Sequence, residues 1–181
     1  FMIAAAISRG DIWIENIIFD HLQALNAKLQ EIGAEVLPRG KSCRIIGQKK
    51  YRHTDIKTLP YPGFPTDMQP QMMPLLATAE GTSLVVETIF ENRFMHVGEL
   101  RRMGADIKIE GKVAIIKGNS KLEGTCVEAS DLRAGAALII AGLYAQGQTT
   151  VVGLHHIDRG YDHIHKKLEQ LGARIKRMAE S

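Results

Sequence analysis

The sequence predicts an α/β fold built from three copies of one βαβαββ unit, with the first and last copies incomplete. Three observations carry the prediction. A Gly-Ala phrase recurs as Glu31-Ile32-Gly33-Ala34-Glu35-Val36, Arg102-Met103-Gly104-Ala105-Asp106-Ile107 and Gln170-Leu171-Gly172-Ala173-Arg174-Ile175, at intervals of 71 and 68 residues. A second glycine, Gly10, Gly81 or Gly147, stands 23, 23 and 25 residues before the glycine of each phrase. Glycine at these places accepts the left-handed backbone that stops a helix. Between the two glycines, β-branched residues give way to a helical apolar period in the same order each time.

The copies run over about residues 1–50, 54–118 and 121–178. Each contains a helix apolar enough to be buried, predicted at 1–8, 68–79 and 132–145, and these three should pack together with the sheets outside. Strands are predicted at 11–19, 82–90 and 149–152, with opening strands at 55–59 and 125–129. Amphipathic helices follow: Leu22, Leu25, Leu29 and Ile32 share the offsets 0, 3, 7 and 10 with Tyr161, Ile164, Leu168 and Leu171, which is one helix face. A hairpin closes each copy, clearest where alternation over 107–115 is broken by a Glu110-Gly111 turn. The first copy begins inside its buried helix and the last stops without a return strand, so the chain is expected to be a fragment.

Composition narrows the function. With 181 residues, 45% of them hydrophobic, the chain can bury a sizeable core. A net charge of +3 without basic runs or interleaved aromatics does not suit a nucleic-acid binder. The apolar opening run, 1–7, is too short to span a bilayer. Cys43 and Cys126 show no metal-ligand or redox spacing and read as packing residues in strands, as in a reducing cytoplasm. His155 and His156 are adjacent and, in an extended segment, face opposite ways; His163 and His165, two apart on a helix, cannot share a metal. No metal site is expected.

The reactive candidates sit at loop-to-helix junctions. Three prolines and a glycine in Pro60-Tyr61-Pro62-Gly63-Phe64-Pro65-Thr66 lead into Asp67, just ahead of an apolar helical run. Asp67 is open to two readings, an N-cap or a general base. Asp131 takes the same place in the third copy. Pro70 and Pro74 predict a tight first turn and a kink. Arg93 lies eleven residues before its closing glycine, where the sister copies have Leu22 and Tyr161, so an arginine there breaks the apolar pattern. With Arg133 and Arg159 it makes a set of guanidiniums around carboxylates, suited to an anionic substrate because arginine offers a planar fork of donors and stays charged.

The strings Phe64-Pro65-Thr66-Asp67-Met68-Gln69, Glu87-Thr88-Ile89-Phe90-Glu91-Asn92-Arg93-Phe94-Met95-His96, Ser130-Asp131-Leu132-Arg133-Ala134 and His156-Ile157-Asp158-Arg159-Gly160-Tyr161 resemble the enolpyruvyl transferases almost end to end. Within that family they are most similar to the branch that uses UDP-N-acetylglucosamine. The resemblance implies an inside-out α/β barrel of two similar domains, each of three repeats, of which this chain is one. It implies transfer of the enolpyruvyl group of phosphoenolpyruvate to the sugar 3-hydroxyl, the first committed step of peptidoglycan synthesis, in the cytoplasm and without a cofactor. It casts Asp67 as the base, Thr66, Asp67 and Ile89 as contacts to UDP-N-acetylglucosamine, Arg133 and Arg159 as ligands of phosphoenolpyruvate, and Arg93 and Asp131 as polar residues of the cleft. The family's reactive cysteine, its lysine-asparagine pair and further arginines have no match here, so the partner domain would supply them and the chain alone would be inactive, with an exposed edge open to self-association. The alternatives are a transferase acting on shikimate 3-phosphate and an anion-binding module without chemistry.

Overall fold

A computed structural model describes residues 1–178; the last three residues of the expected 1–181 domain lie outside it. The chain opens with helix α1, Met2–Ile7, which has no polar side chain and is buried on every side. Strand β1, Asp11–Ile14, and a short 3-10 turn, Phe19–Leu22, lead to α2, Gln23–Ile32, which buries Leu25, Leu29 and Ile32 as its periodicity requires. Strands β2, Glu35–Arg39, and β3, Ser42–Ile46, form a hairpin, and the antiparallel sheet runs β1-β3-β2.

The second unit repeats this plan with one more strand. It runs through β4, Ile56–Lys57, a 3-10 turn over Thr66–Met68, α3, Gln69–Thr78, and β5, Thr82–Val86. Then come α4, Val97–Arg102, β6, Asp106–Glu110, and β7, Val113–Lys117, in the order β4-β5-β7-β6 with β4 parallel to β5. The third unit has β8, Cys126–Glu128, α5, Leu132–Tyr144, β9, Thr150–Val152, α6, Leu154–Asp158, and α7, Ile164–Gln170, with β8 and β9 paired in parallel.

The three Gly-Ala phrases end their helices in one way. Gly33, Gly104 and Gly172 sit at φ +103°, +98° and +94°. The following alanine amide reaches back five residues, Ala34 to Leu29, Ala105 to Leu100 and Ala173 to Leu168, at 2.9, 3.0 and 3.0 Å. Each glycine amide reaches back three, to Gln30, Arg101 and Glu169. That pair of bonds is a Schellman closure, which favours glycine at the left-handed position. The repeat visible in the sequence is therefore a repeat of helix endings.

Helices α1, α3 and α5 touch one another in every pairing, and the sheets lie outside them, which makes an inside-out α/β barrel. Met72, Met73, Leu75 and Leu76 of α3 are at most 1% exposed; each stabilises the fold by about 1.5–3 kcal/mol through burial. Helix α3 begins with the expected tight turn and runs on through Pro74 without a break.

Several local expectations are corrected. The two-residue turns are Gly111-Lys112 and Gly40-Lys41, because Glu110 still pairs with Val113 and Arg39 with Ser42. In the first copy Arg9, not Gly10, is left-handed (φ +58°), since α1 ends at Ser8 and the next position falls on Arg9. Gly153 (φ +75°) turns the chain out of β9 into α6, so His155 and His156 are helical and their rings lie 4.0 Å apart instead of facing opposite ways. His163 caps α7 from a left-handed conformation and does not sit within the helix. Cys43 packs in the core, but Cys126 faces outward, its strand burying only Val127. Leu171 is half exposed because no hairpin covers that end of α7 among the described residues.

Candidate active site

Asp67 and Asp131 occupy corresponding places and do different things. Asp131 is an N-cap: its Oδ1 accepts from the amides of Arg133 and Ala134 at 2.8 and 3.1 Å. Burial works to raise its carboxyl, but these amides, with the charges of Arg93 and His96, outweigh it and hold the group below its ordinary value. Asp67 makes no cap bond, because the chain winds through Thr66–Met68 as a 3-10 turn whose N-cap is Pro65. Its side chain, 56% exposed, is instead shared by two arginines. Arg93 Nη2 donates to Asp67 Oδ1 at 2.9 Å and Arg133 Nε donates to the same oxygen.

The arginines are the more hidden partners, 17% and 29% exposed against solvent. Arg93 lies over the ring of Phe90, 4.7 Å from its centre, a favourable contact for a partly desolvated guanidinium. Its Nε is buried and makes no hydrogen bond among the described residues, so one donor of the fork is unspent. The hydrogen bond from Arg133, opposed by some burial and aided by both positive charges, holds the Asp67 carboxyl below its ordinary value. One Asp67 oxygen is thus clamped while the other makes no hydrogen bond among the described residues.

The remaining candidates are arranged around this clamp. Thr66 Oγ1 donates to Glu87 Oε2 at 2.9 Å, and the Ile89 amide donates to Glu87 Oε1 at 2.9 Å, which leaves the Ile89 carbonyl as its group free to meet a ligand. Arg159 follows α6 as its C-cap, and its guanidinium forms no ion pair or hydrogen bond among the described residues. It belongs to the same end of the molecule: a Cβ on neighbouring Gly160 would come within 2.7 Å of Leu132, the first residue of α5. The structure therefore joins Asp67, Arg93 and Arg133 directly, sets Thr66, Ile89 and Asp131 beside them through Glu87 and the α5 cap, and leaves Arg159 adjacent but unattached.

Sequence reasoning gave no role to Glu87, Phe90 or His96, although all three lie in a string it singled out. A lone acid at the end of the apolar strand β5 was the available signal for Glu87, which is only 1% exposed. His96 is buried with its Nε2 3.1 Å from Met73 Sδ, and burial is the main cause that pushes its pKa down to about 4. Among the described residues no group of three His, Cys, Asp or Glu is placed to hold a metal ion.

Buried helices inside three wrapped sheets, with carboxylates and arginines gathered at the helix starts, are features of an enolpyruvyl transferase domain. The sequence model of the family EPSP synthase (3-phosphoshikimate 1-carboxyvinyltransferase) matches residues 1–168, and the chain belongs to that family. It is 55% identical over 177 residues to UDP-N-acetylglucosamine 1-carboxyvinyltransferase 1 of Caldanaerobacter subterraneus subsp. tengcongensis, covering 98% of this chain and 43% of the relative. It is 53% identical over 178 residues to UDP-N-acetylglucosamine 1-carboxyvinyltransferase of Halothermothrix orenii, with 98% and 43% covered. The chain thus spans less than half the length of these relatives. Among solved structures, the enolpyruvyl transferase NikO from Streptomyces tendae superposes with a TM-score of 0.88 at 28% identity, covering 96% of this chain and 42% of that one. EPSP synthase from Acinetobacter baumannii, at 19% identity, TM-score 0.66 and coverage of 89% and 41%, shares the fold.

Proposed function

We propose that this chain is one domain of a UDP-N-acetylglucosamine 1-carboxyvinyltransferase and carries its general base and part of its anion clamp. The observation that carries the reading is Asp67, released from helix capping and held by Arg93 and Arg133 through one oxygen. The 3-hydroxyl of UDP-N-acetylglucosamine adds to C2 of phosphoenolpyruvate while Asp67 takes its proton and C3 gains one. The tetrahedral ketal then loses phosphate from C2 and a proton from C3, which restores the double bond of the enolpyruvyl group. Thr66 and the Ile89 backbone meet the sugar nucleotide; Arg133 and Arg159 meet the phosphate and carboxylate of phosphoenolpyruvate, with Arg93 and Asp131 lining the cleft.

The clamp has a chemical consequence. Asp67 and an anionic substrate compete for the same guanidinium N–H groups, and a carboxylate held by two cations is a poor base. Phosphoenolpyruvate, by drawing the arginines to itself, frees the Asp67 oxygen and raises its basicity at the moment the proton must move. The partner domain supplies the rest of the site, the chain alone is inactive, and the enzyme acts in the cytoplasm in peptidoglycan synthesis for the cell wall. No helix among the described residues is long and apolar enough to cross a membrane.

The test is phosphate release by the two-domain protein given phosphoenolpyruvate with either UDP-N-acetylglucosamine or shikimate 3-phosphate. Release with the sugar nucleotide alone is expected, and none from residues 1–181 by themselves. Turnover of shikimate 3-phosphate and not of the sugar nucleotide would overturn the reading in favour of the other branch.

A further inference from the structure

Glu87 is a buried carboxylate that forms no ion pair among the described residues. Its Oε1 accepts from Thr58 Oγ1 at 2.8 Å and from the amides of Ile89 and Phe90 at 2.9 and 3.1 Å, and its Oε2 accepts from Thr66 Oγ1 at 2.9 Å. An unpaired charge taken out of water costs several kcal/mol unless donors replace the lost solvent; here four do. They come from three separate segments. Thr58 follows β4, and its hydroxyl also accepts from the Thr88 amide at 2.8 Å. Thr66 opens the turn that carries Asp67. Ile89 and Phe90 begin the loop that carries Arg93, and Phe90 is the ring under that arginine. Glu87 therefore fastens the two halves of the clamp to one buried point.

The direction of these bonds matters as much as their number. An ionised carboxylate only accepts, so the single hydroxyl proton of Thr66 is spent on Glu87. What Thr66 Oγ1 then offers a ligand is lone pairs alone. We propose that Glu87 is a positioning residue that fixes Thr66 as an acceptor, so that the site selects a substrate presenting an O–H or N–H donor, from the sugar or its acetamido group, one residue from the base. This rests on the sugar-nucleotide reading above and adds to it a rule for what that substrate must donate.

The test is made in the two-domain enzyme. Glu87→Gln has the same shape: its one oxygen still accepts from Thr58 and the two amides, while its NH2 donates to Thr66 and turns the hydroxyl round. Thermal unfolding should change little, KM for UDP-N-acetylglucosamine should rise on the order of tenfold, the size of one hydrogen bond, and KM for phosphoenolpyruvate should hold. Thr66→Val should reproduce that split, Thr66→Ser should escape it, and Glu87→Gln combined with Thr66→Val should be no worse than Thr66→Val alone, because Glu87 acts through Thr66. Unaltered sugar-nucleotide KM in Glu87→Gln, or effects of the two changes that add, would overturn the proposal while leaving an active wild type and its function intact. If Glu87→Gln does not fold, the Thr66 pair decides: a normal Thr66→Val overturns it. A wild type without sugar-nucleotide turnover removes the functional reading and this inference together.

Discussion

Replacing Asp67 with Asn removes the charge while keeping an oxygen in place, and its two costs separate cleanly. No helix-cap bond is lost, since Asp67 makes none. What weakens is its pair of contacts to Arg93 and Arg133. With the carboxylate 56% exposed, each such pair stabilises the fold by about 0–1 kcal/mol, so the loss is about 1 kcal/mol and Tm should fall by about 2–4 °C for a domain of this size. Arg133 and, more weakly, Arg93 hold the folded-state carboxyl below its unfolded value. The stabilisation is therefore present above about pH 4 and is lost as pH falls through the lowered folded value. The Tm difference between wild type and Asp67→Asn should close in that acid window. Turnover of the two-domain enzyme should fall by about 10²–10⁴ at neutral pH. The same change removes the carboxylate that competes for the arginines, so inorganic phosphate should bind the mutant more tightly, less so at high salt. Calorimetry at neutral and acid pH, steady-state kinetics and a phosphate titration read all three. Near-normal turnover in a folded mutant would refute the assignment of Asp67 as base.

His96 is buried and its pKa lies near 4, below the ordinary 6.5. The unfolded chain therefore binds the proton more readily, and stability should drop as pH falls from about 6.5 to 4, by roughly 3 kcal/mol in total; a His96→Phe variant that keeps the wild-type pH dependence there would count against it. In the second and third sheets β4 and β8 lie parallel beside β5 and β9, whereas β1 has no such neighbour among the described residues. Trp13 on it is 47% exposed, so we expect concentration-dependent association of residues 1–181 through this edge, read by light scattering and weakened by Trp13→Lys; a strict monomer at millimolar concentration would sink the idea.

The fold was legible where a local rule and a global one coincide. Gly33, Gly104 and Gly172 mark helix ends by backbone conformation, and the apolar helices 1–8, 68–79 and 132–145 cannot be satisfied except against one another. Legibility failed where a single residue redirects the chain: Gly153 starts α6 inside what reads as extended sequence, and Arg9 takes a left-handed position that composition assigns to Gly10. In the site, Arg93 was visible because it replaces Leu22 and Tyr161 of the sister copies. Glu87 was not, since its meaning depends on hydroxyls and amides at 58, 66, 89 and 90 converging on it, and only the fold brings those together. The orientation of Arg159 was likewise beyond reach, because no side chain among the described residues bonds its guanidinium.

Asp67 and Asp131 show how a repeated fold can release a carboxylate from helix capping without disturbing its core. Both begin buried helices, where a carboxylate ordinarily satisfies the first amides and is stabilised by them. Asp131 does this, with Arg133 two residues on as one of the amides it caps. In the other copy the 3-10 winding of Thr66–Met68 moves Asp67 off its own helix and toward the seam between the second and third copies, where the side chain of that same Arg133 meets it. The seam is closed below by Gln71 of α3, whose Nε2 lies 3.5 Å from the hydroxyl of Tyr161 in the third copy. The residue capped at the helix start of the third copy is thus also the counter-ion at the helix start of the second. The cost to stability is one exposed cap, about 1 kcal/mol, while α3 and α5 remain packed as before. A carboxylate held only by removable ion pairs, on a core that does not depend on it, is free to give up those partners to a substrate anion.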